Sequence, residues 1–207
     1  TPVLVPNFTD RKRPGFDTRG NAVKCYESVR TYDPIGPLAD DALMASAGIF
    51  FADGKWCEAA RQYGILRQEY PKSDFQMRSH ILQIQALCLQ YQGERYEVTS
   101  LREAGKLIDQ TRIRFRGQLG EEENELLETR RQIVENLAKR EYSMGKYYDT
   151  KGYYRAARMY YESVVLNYEG TEASELASQR LNEIRDYQDE PTDHLAWVEK
   201  IFPSGKR

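Results

Sequence analysis

Apolar positions recur along most of this chain at the three- and four-residue spacing of one helix face, interrupted by short polar segments carrying Gly or Pro. One stretch is written twice. Residues 54–70 run from Gly54-Lys55-Trp56 through Ala59, Tyr63 and Leu66 to Tyr70. Residues 152–168 run from Gly152-Tyr153-Tyr154 through Ala157, Tyr161 and Val164 to Tyr168, without a gap and 98 residues later. The order aromatic, Ala, Tyr, aliphatic places these groups on one side of a helix. A small Ala between two rings lets a neighbouring helix approach closely. Upstream of the first copy, Leu43, Ala47 and Phe50 supply the packing stripe of a preceding helix, and Gly145 and Tyr148 do so for the second.

Two helices joined by a glycine turn and repeated are the signature of a tetratricopeptide (TPR) array, about 34 residues per unit. The fold expected is therefore all-α, a TPR-type helical repeat solenoid with an extended N-terminal arm. Helices are expected at 38–52, 55–70, 74–91, about 119–148, 152–168 and 171–187. Leu101, Ala104, Ile108 and Phe115 repeat the second-helix stripe 45 residues after Trp56, with an insertion around 91–100. Ser73 and Gln76 read as a capping box for the helix near 74. The helix ending at Tyr148, on the order of 45 Å long at 1.5 Å per residue, is long enough to bridge two halves of the solenoid. Its stripe is Leu126, Ile133, Val134, Leu137 and Gly145. The closing helix carries Ala173, Leu176, Ala177, Leu181 and Ile184.

The flanks differ in character. Residues 1–36 hold four prolines and three glycines with no sustained helical period before Ala22, and read as an arm or linker. A short helix is expected over Ala22–Tyr32. Arg11-Lys12-Arg13 within the arm makes either a solvated patch or a contact for a membrane surface or an acidic partner. Residues 37–187 form the solenoid, divided about 37–116 and 119–187. The tail, 188–207, gathers Leu195, Trp197, Val198, Ile201 and Phe202, which either seal the last apolar face or dock on a partner.

Thirty basic and 32 acidic residues leave a net charge of −2, without the basic excess that a nucleic-acid surface needs. An RNA-reading helical repeat is disfavoured for the same reason. Fifteen tyrosines mostly follow the helix stripes, where they serve as packing or as groove contacts offering area and a hydroxyl. Cys25, Cys57 and Cys88 have no metal or redox spacing, and Cys57 and Cys88 read as small buried residues. Glu121, Glu122 and Glu123 suit a helix start better than a cation site. No stretch approaches a membrane span.

Catalytic patterns are missing from this sequence. His80 and His194 stand alone, and His80 reads as a packing or groove residue. No nucleophile elbow, phosphate loop or dinucleotide fingerprint is present. The expectation is a non-enzymatic binding scaffold without cofactor or metal. In a TPR frame the first helix of each repeat faces a concave groove. Asp41, Met44, Gly48 and Phe51 take those positions in the first repeat, and Arg78 and Gln85 in the next. An apolar floor, a guanidinium for a carboxylate and an amide for backbone suit an extended peptide. The basic and asparagine groups that clamp chaperone tails are not at the corresponding positions.

The segment from Leu137 through Arg140-Glu141-Tyr142, Tyr147-Tyr148 and Gly152-Tyr153-Tyr154-Arg155-Ala156-Ala157 resembles the BamD (YfiO/ComL) family. Those proteins are TPR lipoproteins of the outer-membrane β-barrel assembly machinery. The likeness continues through Tyr168-Glu169-Gly170-Thr171 and, in the first half, from Gly54-Lys55-Trp56 to Tyr70-Pro71-Lys72-Ser73. It covers roughly residues 38–187. Glu141 and Glu169 depart from it, where an apolar residue and a proline are usual, and the chain is short for a five-repeat member.

The resemblance implies an adaptor on the periplasmic face of the outer membrane. Its partners would be the barrel insertase, accessory lipoproteins and unfolded outer-membrane protein segments. Residues 38–116 would take substrate peptide at Asp41, Met44, Phe51, Arg78 and Gln85. Residues 119–187 would meet the assembly partner at Tyr142, Lys146 and Tyr148. Cys25 lacks a lipobox, so a lipid anchor, if there is one, lies upstream of residue 1. A cell-division or Tol-associated envelope adaptor, or a cytosolic TPR scaffold, remains the alternative reading.

Overall fold

The computed structural model describes residues 18–94 and 96–189. Among them are eight helices and no strand: α1 Thr18–Tyr32, α2 Ala39–Ala52, α3 Trp56–Glu69, α4 Gln76–Leu89, α5 Thr99–Arg114, α6 Glu122–Thr150, α7 Tyr154–Asn167 and α8 Glu172–Glu183. Each of α1 to α4 packs against the next, as α7 does against α8. This is the all-α repeat architecture expected from the stripes. The chain divides into two compact units at Arg130 and Arg131, inside α6 and beyond the Gly117–Gly120 turn.

The two aromatic copies fold into the same local structure, residue for residue. Helices α3 and α7 both have 14 residues and start 98 positions apart. The turn before each needs glycine: Gly54 has φ +74° and Gly152 φ +78°. That left-handed conformation costs an L side chain about 1–2 kcal/mol. It lets Lys55 N donate to Phe50 O at 2.9 Å and Tyr153 N to Tyr148 O at 3.0 Å, satisfying carbonyls at the end of the first helix.

In the first unit, Ala59, Tyr63 and Leu66 of α3 are buried with Leu43 and Ala47 of α2 and Ile84 and Leu87 of α4. Full burial of a leucine stabilises by about 1.5–3 kcal/mol relative to its exposed state. The stripe Leu101, Ala104, Ile108 and Phe115 is buried as its offset predicts. In the second unit, Ala138, Ala157, Tyr161, Val164, Ala173, Ala177 and Ile184 form the core.

Several expectations are corrected. The short helix expected over Ala22–Tyr32 is present and begins four residues earlier, at Thr18, so residues 18–32 of the expected arm are helical. Docking on α2 supplies what local periodicity lacked: Val23 is buried, and Arg19 binds Asp53 at 2.5 Å. Ser73 and Gln76 make no capping box. Ser73 Oγ accepts from Phe75 N, while the buried Gln76 amide turns back to donate to the Leu66, Arg67 and Tyr70 carbonyls. Gln76 therefore caps the end of α3 instead of the start of α4.

Cys57 is exposed rather than buried, because it follows Trp56 on the outer side of the first turn of α3. Leu176 faces solvent, and α8 ends at Glu183. Arg11-Lys12-Arg13 and the apolar tail residues lie outside the described residues.

Candidate functional site

Helices α2 and α4 present one side to an open groove of about 400 Å³ in the first unit. From α2 it is lined by Asp41, Met44, Ala45, Gly48 and Phe51, spaced three and four apart on one face. Phe75, Arg78 and Leu82 contribute from around and within α4, and Tyr63 of α3 closes the floor. The ring of Phe51 is held edge-on by Trp56, centroids 5.0 Å apart. Gly48 has open space where a Cβ would stand, which widens the groove at its middle.

Five positions named by the repeat frame thus meet around one cavity: Asp41, Met44, Gly48, Phe51 and Arg78. Gln85 does not join them. It is exposed two turns beyond Arg78, past Leu82, where the lining ends. Tyr63, Phe75, Leu82 and Ala45 were not singled out by the sequence. Phe75 and Leu82 could have been found, since they lie at i−3 and i+4 from Arg78. Tyr63 was read only as core; its ring is core on one side and groove floor on the other.

The groove is apolar inside with charge at its edge. Asp41 and Arg78 are exposed, and among the described residues neither has an ion-pair partner. Burial raises the Tyr63 phenol above its ordinary range, with Arg78 drawing it partly back. The guanidinium therefore stands close enough to act on a group in the floor.

Behind the groove, α3 and α4 share a polar cluster. Arg67 Nε donates to Gln83 Oε1 at 2.6 Å, and His80 Nδ1 donates to the Gln76 carbonyl at 2.7 Å. The other His80 nitrogen accepts from Arg67 at 3.4 Å. The ring meets Phe115 edge-on at 5.1 Å. Burial, followed by the Arg67 and Arg114 charges, lowers the His80 pKa to about 4 despite the backbone bond. This neutral, packed imidazole is a structural residue.

In the second unit the same frame positions are occupied differently. Asp149, Tyr161 and Arg180 stand where Phe51, Tyr63 and Leu82 stand in the first. Arg180 grips Asp149 with two bonds, 2.7 and 3.0 Å, and the Tyr161 hydroxyl donates to it at 3.2 Å. The hydrogen bonds from Arg180 hold the Asp149 carboxyl below its usual range. Of the expected partner residues, Tyr142 packs on Tyr161 at 5.3 Å and Tyr148 stacks on Tyr160 at 5.4 Å with planes 11° apart. Lys146 is exposed one turn from Tyr142.

No family model and no curated protein matches this chain. The site therefore rests on its own chemistry. A second open depression, about 390 Å³, lies at the 91–100 insertion among Gln90, Tyr96, Glu97, Thr99 and Glu103. Among the described residues, no group of three His, Cys, Asp or Glu side chains is arranged to hold a metal ion.

Proposed function

We propose that the chain is a peptide-binding adaptor whose first unit receives an extended apolar segment along α2. The observation that carries this reading is the convergence of Asp41, Met44, Gly48, Phe51 and Arg78 on one open, mostly apolar cavity. Its volume lies in the range of ligand-binding clefts. From Asp41 to Phe51 the groove follows α2 for about 15 Å, the length of four or five extended residues. Met44, Phe51, Tyr63, Phe75 and Leu82 offer surface to alternate side chains, and Arg78 offers a fork for a carboxylate.

The wider role is the one the family resemblance implies: an adaptor of outer-membrane β-barrel assembly at the periplasmic face of the outer membrane. In that role the first unit takes unfolded barrel segments. The second unit meets the insertase or an accessory lipoprotein through Tyr142, Lys146 and Tyr148. Nothing in this mechanism requires a bond to be made or broken. Affinity comes from apolar burial at the floor, and orientation from the charged rim.

Photoreactive probes at Phe51 and Arg78, and separately at Tyr148, followed by pull-down from envelope extracts, test both levels. Capture of unfolded barrel proteins at Phe51 and an insertase at Tyr148 supports the assembly role. Capture of division or Tol-type proteins assigns a different envelope complex. Recovery of cytosolic proteins alone overturns the envelope role and leaves a peptide-binding scaffold.

A further inference from the structure

The floor of the groove holds a tyrosine whose counterpart in the second unit has a partner that the first unit lacks. Tyr63 and Tyr161 are the same residue of the two repeat copies, and each is 1% exposed. Tyr161 Oη donates to the Asp149 carboxylate at 3.2 Å, and Arg180 grips that carboxylate at 2.7 and 3.0 Å. In the first unit Phe51 stands at the Asp149 position, so no carboxylate meets Tyr63 from there. Among the described residues the Tyr63 hydroxyl has no hydrogen-bond partner, and Tyr63 lines the open groove. A tyrosine hydroxyl set this deep ordinarily has one.

A guanidinium is present as well, carried by a different residue. Leu82 takes the Arg180 position, and Arg78 stands one helical turn before it on the same face of α4. Arg78 is exposed, lines the groove, and its charge acts on the Tyr63 phenol. The first unit therefore has the tyrosine and an arginine of the second unit's clip and lacks the carboxylate. Phe75 lies on one side of Arg78 and Leu82 on the other, so an extended segment continues past the guanidinium in both directions. Asp41 lines the facing wall from α2 and repels a second negative charge, which favours a place for it on the α4 side.

We infer that the segment bound here carries an internal Asp or Glu, whose carboxylate Tyr63 Oη and Arg78 hold between them as the second unit holds Asp149. In an extended chain alternate side chains share a face, so apolar residues stand two positions before and after the acid. They meet Phe75 on one side and Leu82 and Phe51 on the other. The groove thus selects an apolar segment interrupted by one acid over a uniformly apolar one. Covering it without that acid cuts Tyr63 and Arg78 off from water and leaves them unpaired. The inference rests on the groove's taking an extended segment, and the experiment separates the two.

The test follows binding to the full chain by fluorescence anisotropy, with three labelled, end-blocked peptides. In each, apolar residues alternate with serine; the central apolar residue is kept, replaced by asparagine, or replaced by aspartate. The aspartate peptide should bind tenfold or more tighter than the asparagine peptide. Tyr63→Phe and Arg78→Gln should each remove most of that preference and leave the asparagine peptide's affinity nearly unchanged. Thermal unfolding of Tyr63→Phe should match the parent chain, because the hydroxyl bonds nothing in the free protein. Asp41→Asn should tighten the aspartate peptide several-fold.

Equal binding of the aspartate and asparagine peptides overturns the carboxylate site and leaves the groove standing. A preference for aspartate that survives both substitutions does the same. Tighter binding of the uniformly apolar peptide with its C-terminal carboxylate unblocked puts the anion at a chain end and overturns the internal acid. No binding of any peptide overturns the peptide groove itself, and this inference with it.

Discussion

The two gapless copies of the repeat share a backbone and exchange the places of their polar groups. In the first unit the groove side carries Phe51 and Leu82, while the α3–α4 seam behind it holds Arg67, His80 and Gln83. Ninety-eight residues later the groove-side positions carry Asp149 and Arg180, joined by two hydrogen bonds. The seam positions carry Val165, Ser178 and Leu181, of which Val165 and Leu181 pack against the core. One helix pair is therefore closed by polar groups at its back and left apolar in front. The other is apolar at its back and clipped in front. A repeat frame fixes which positions face a groove; the residues placed there decide whether the groove is open.

Acid should separate the units most. His80 has a folded pKa of about 4, against about 6.5 when unfolded. The unfolded chain binds the proton more readily, so this contribution is full above pH 6.5 and is lost as pH falls toward 4. The loss reaches roughly 3 kcal/mol, 1.36 kcal/mol for each pH unit. The second unit has Ser178 at this position and no such dependence. Its Asp149–Arg180 pair acts in the same direction but in a lower window: a depressed carboxyl keeps its stabilisation above the ordinary carboxylate pKa and loses it only as pH falls below that. Denaturant titrations followed by Trp56 fluorescence in a Trp197→Phe background should show the first unit weakening between pH 6.5 and 4. His80→Gln should flatten that slope, and a slope unchanged by the substitution would remove His80 as its cause.

Close approach of α6 and α7 gives the next contrast. A Cβ at Gly145 would lie 2.6 Å from the Tyr161 ring and 3.3 Å from Tyr160 Cβ. Its counterpart in the first unit is Ala47, fully buried and accommodated. Gly145→Ala should destabilise the second unit by about 2 kcal/mol from overpacking, although alanine is the better helix former by about 1 kcal/mol. Gly48→Ala, with open space around it, should stabilise the first unit by a fraction of that amount. Amide hydrogen exchange resolves the two, since the protection lost or gained should be confined to the unit that carries the substitution.

The clip itself is tested by making the second unit resemble the first. Arg180→Leu installs the residue found at Leu82 and strands Asp149, whose side chain is only 10% exposed. A cost of about 1–2 kcal/mol is expected, reduced from the fully buried case because Arg180 is a third exposed. Adding Asp149→Phe completes the first-unit pair and should recover most of that loss. It should also open an apolar groove that captures a fluorescent apolar peptide. Failure of the double variant to recover stability would mean that the clip is needed for more than its own charges.

These contrasts also mark how far the sequence could be read. The 98-residue offset was legible because helix, turn and stripe each leave a local trace: Gly54 and Gly152 at positive φ, Ala59 and Ala157 between rings. The groove positions followed from the same frame, and five of the six converge on the cavity. What escaped was set by contacts between distant residues. Gln76 stands at a capping-box spacing, yet its amide serves the carbonyls of the preceding helix. Thr18–Cys25 shows little amphipathic pattern and is held by docking on α2. Glu141, standing where an apolar residue was expected, accepts a 2.5 Å bond from Ser163, a partner 22 residues away that only the fold brings beside it.

The smallest expected difference concerns how the last helix of each pair begins. Thr171 occupies in the second unit the place of Ser73 in the first. Its hydroxyl accepts from Ser174 N at 3.2 Å and caps α8, whereas Ser73 Oγ reaches only Phe75 N, ahead of the first turn of α4. Thr171→Ala should therefore cost about 1 kcal/mol, the usual loss of a side-chain N-cap. Ser73→Ala should cost a few tenths, because it removes a turn contact and leaves the helix start as it was. In the first unit the larger loss should come from Gln76→Ala, about 1–2 kcal/mol. The Arg67 carbonyl, which Pro71 cannot serve, then loses its donor, while Leu66 O and Tyr70 O keep the Tyr70 and Ser73 N–H groups. Thermal unfolding of the three variants should order them Gln76, Thr171, Ser73. An equal cost for Ser73 and Thr171 would show that the two copies begin their helices alike and that the capping contrast has no energetic content.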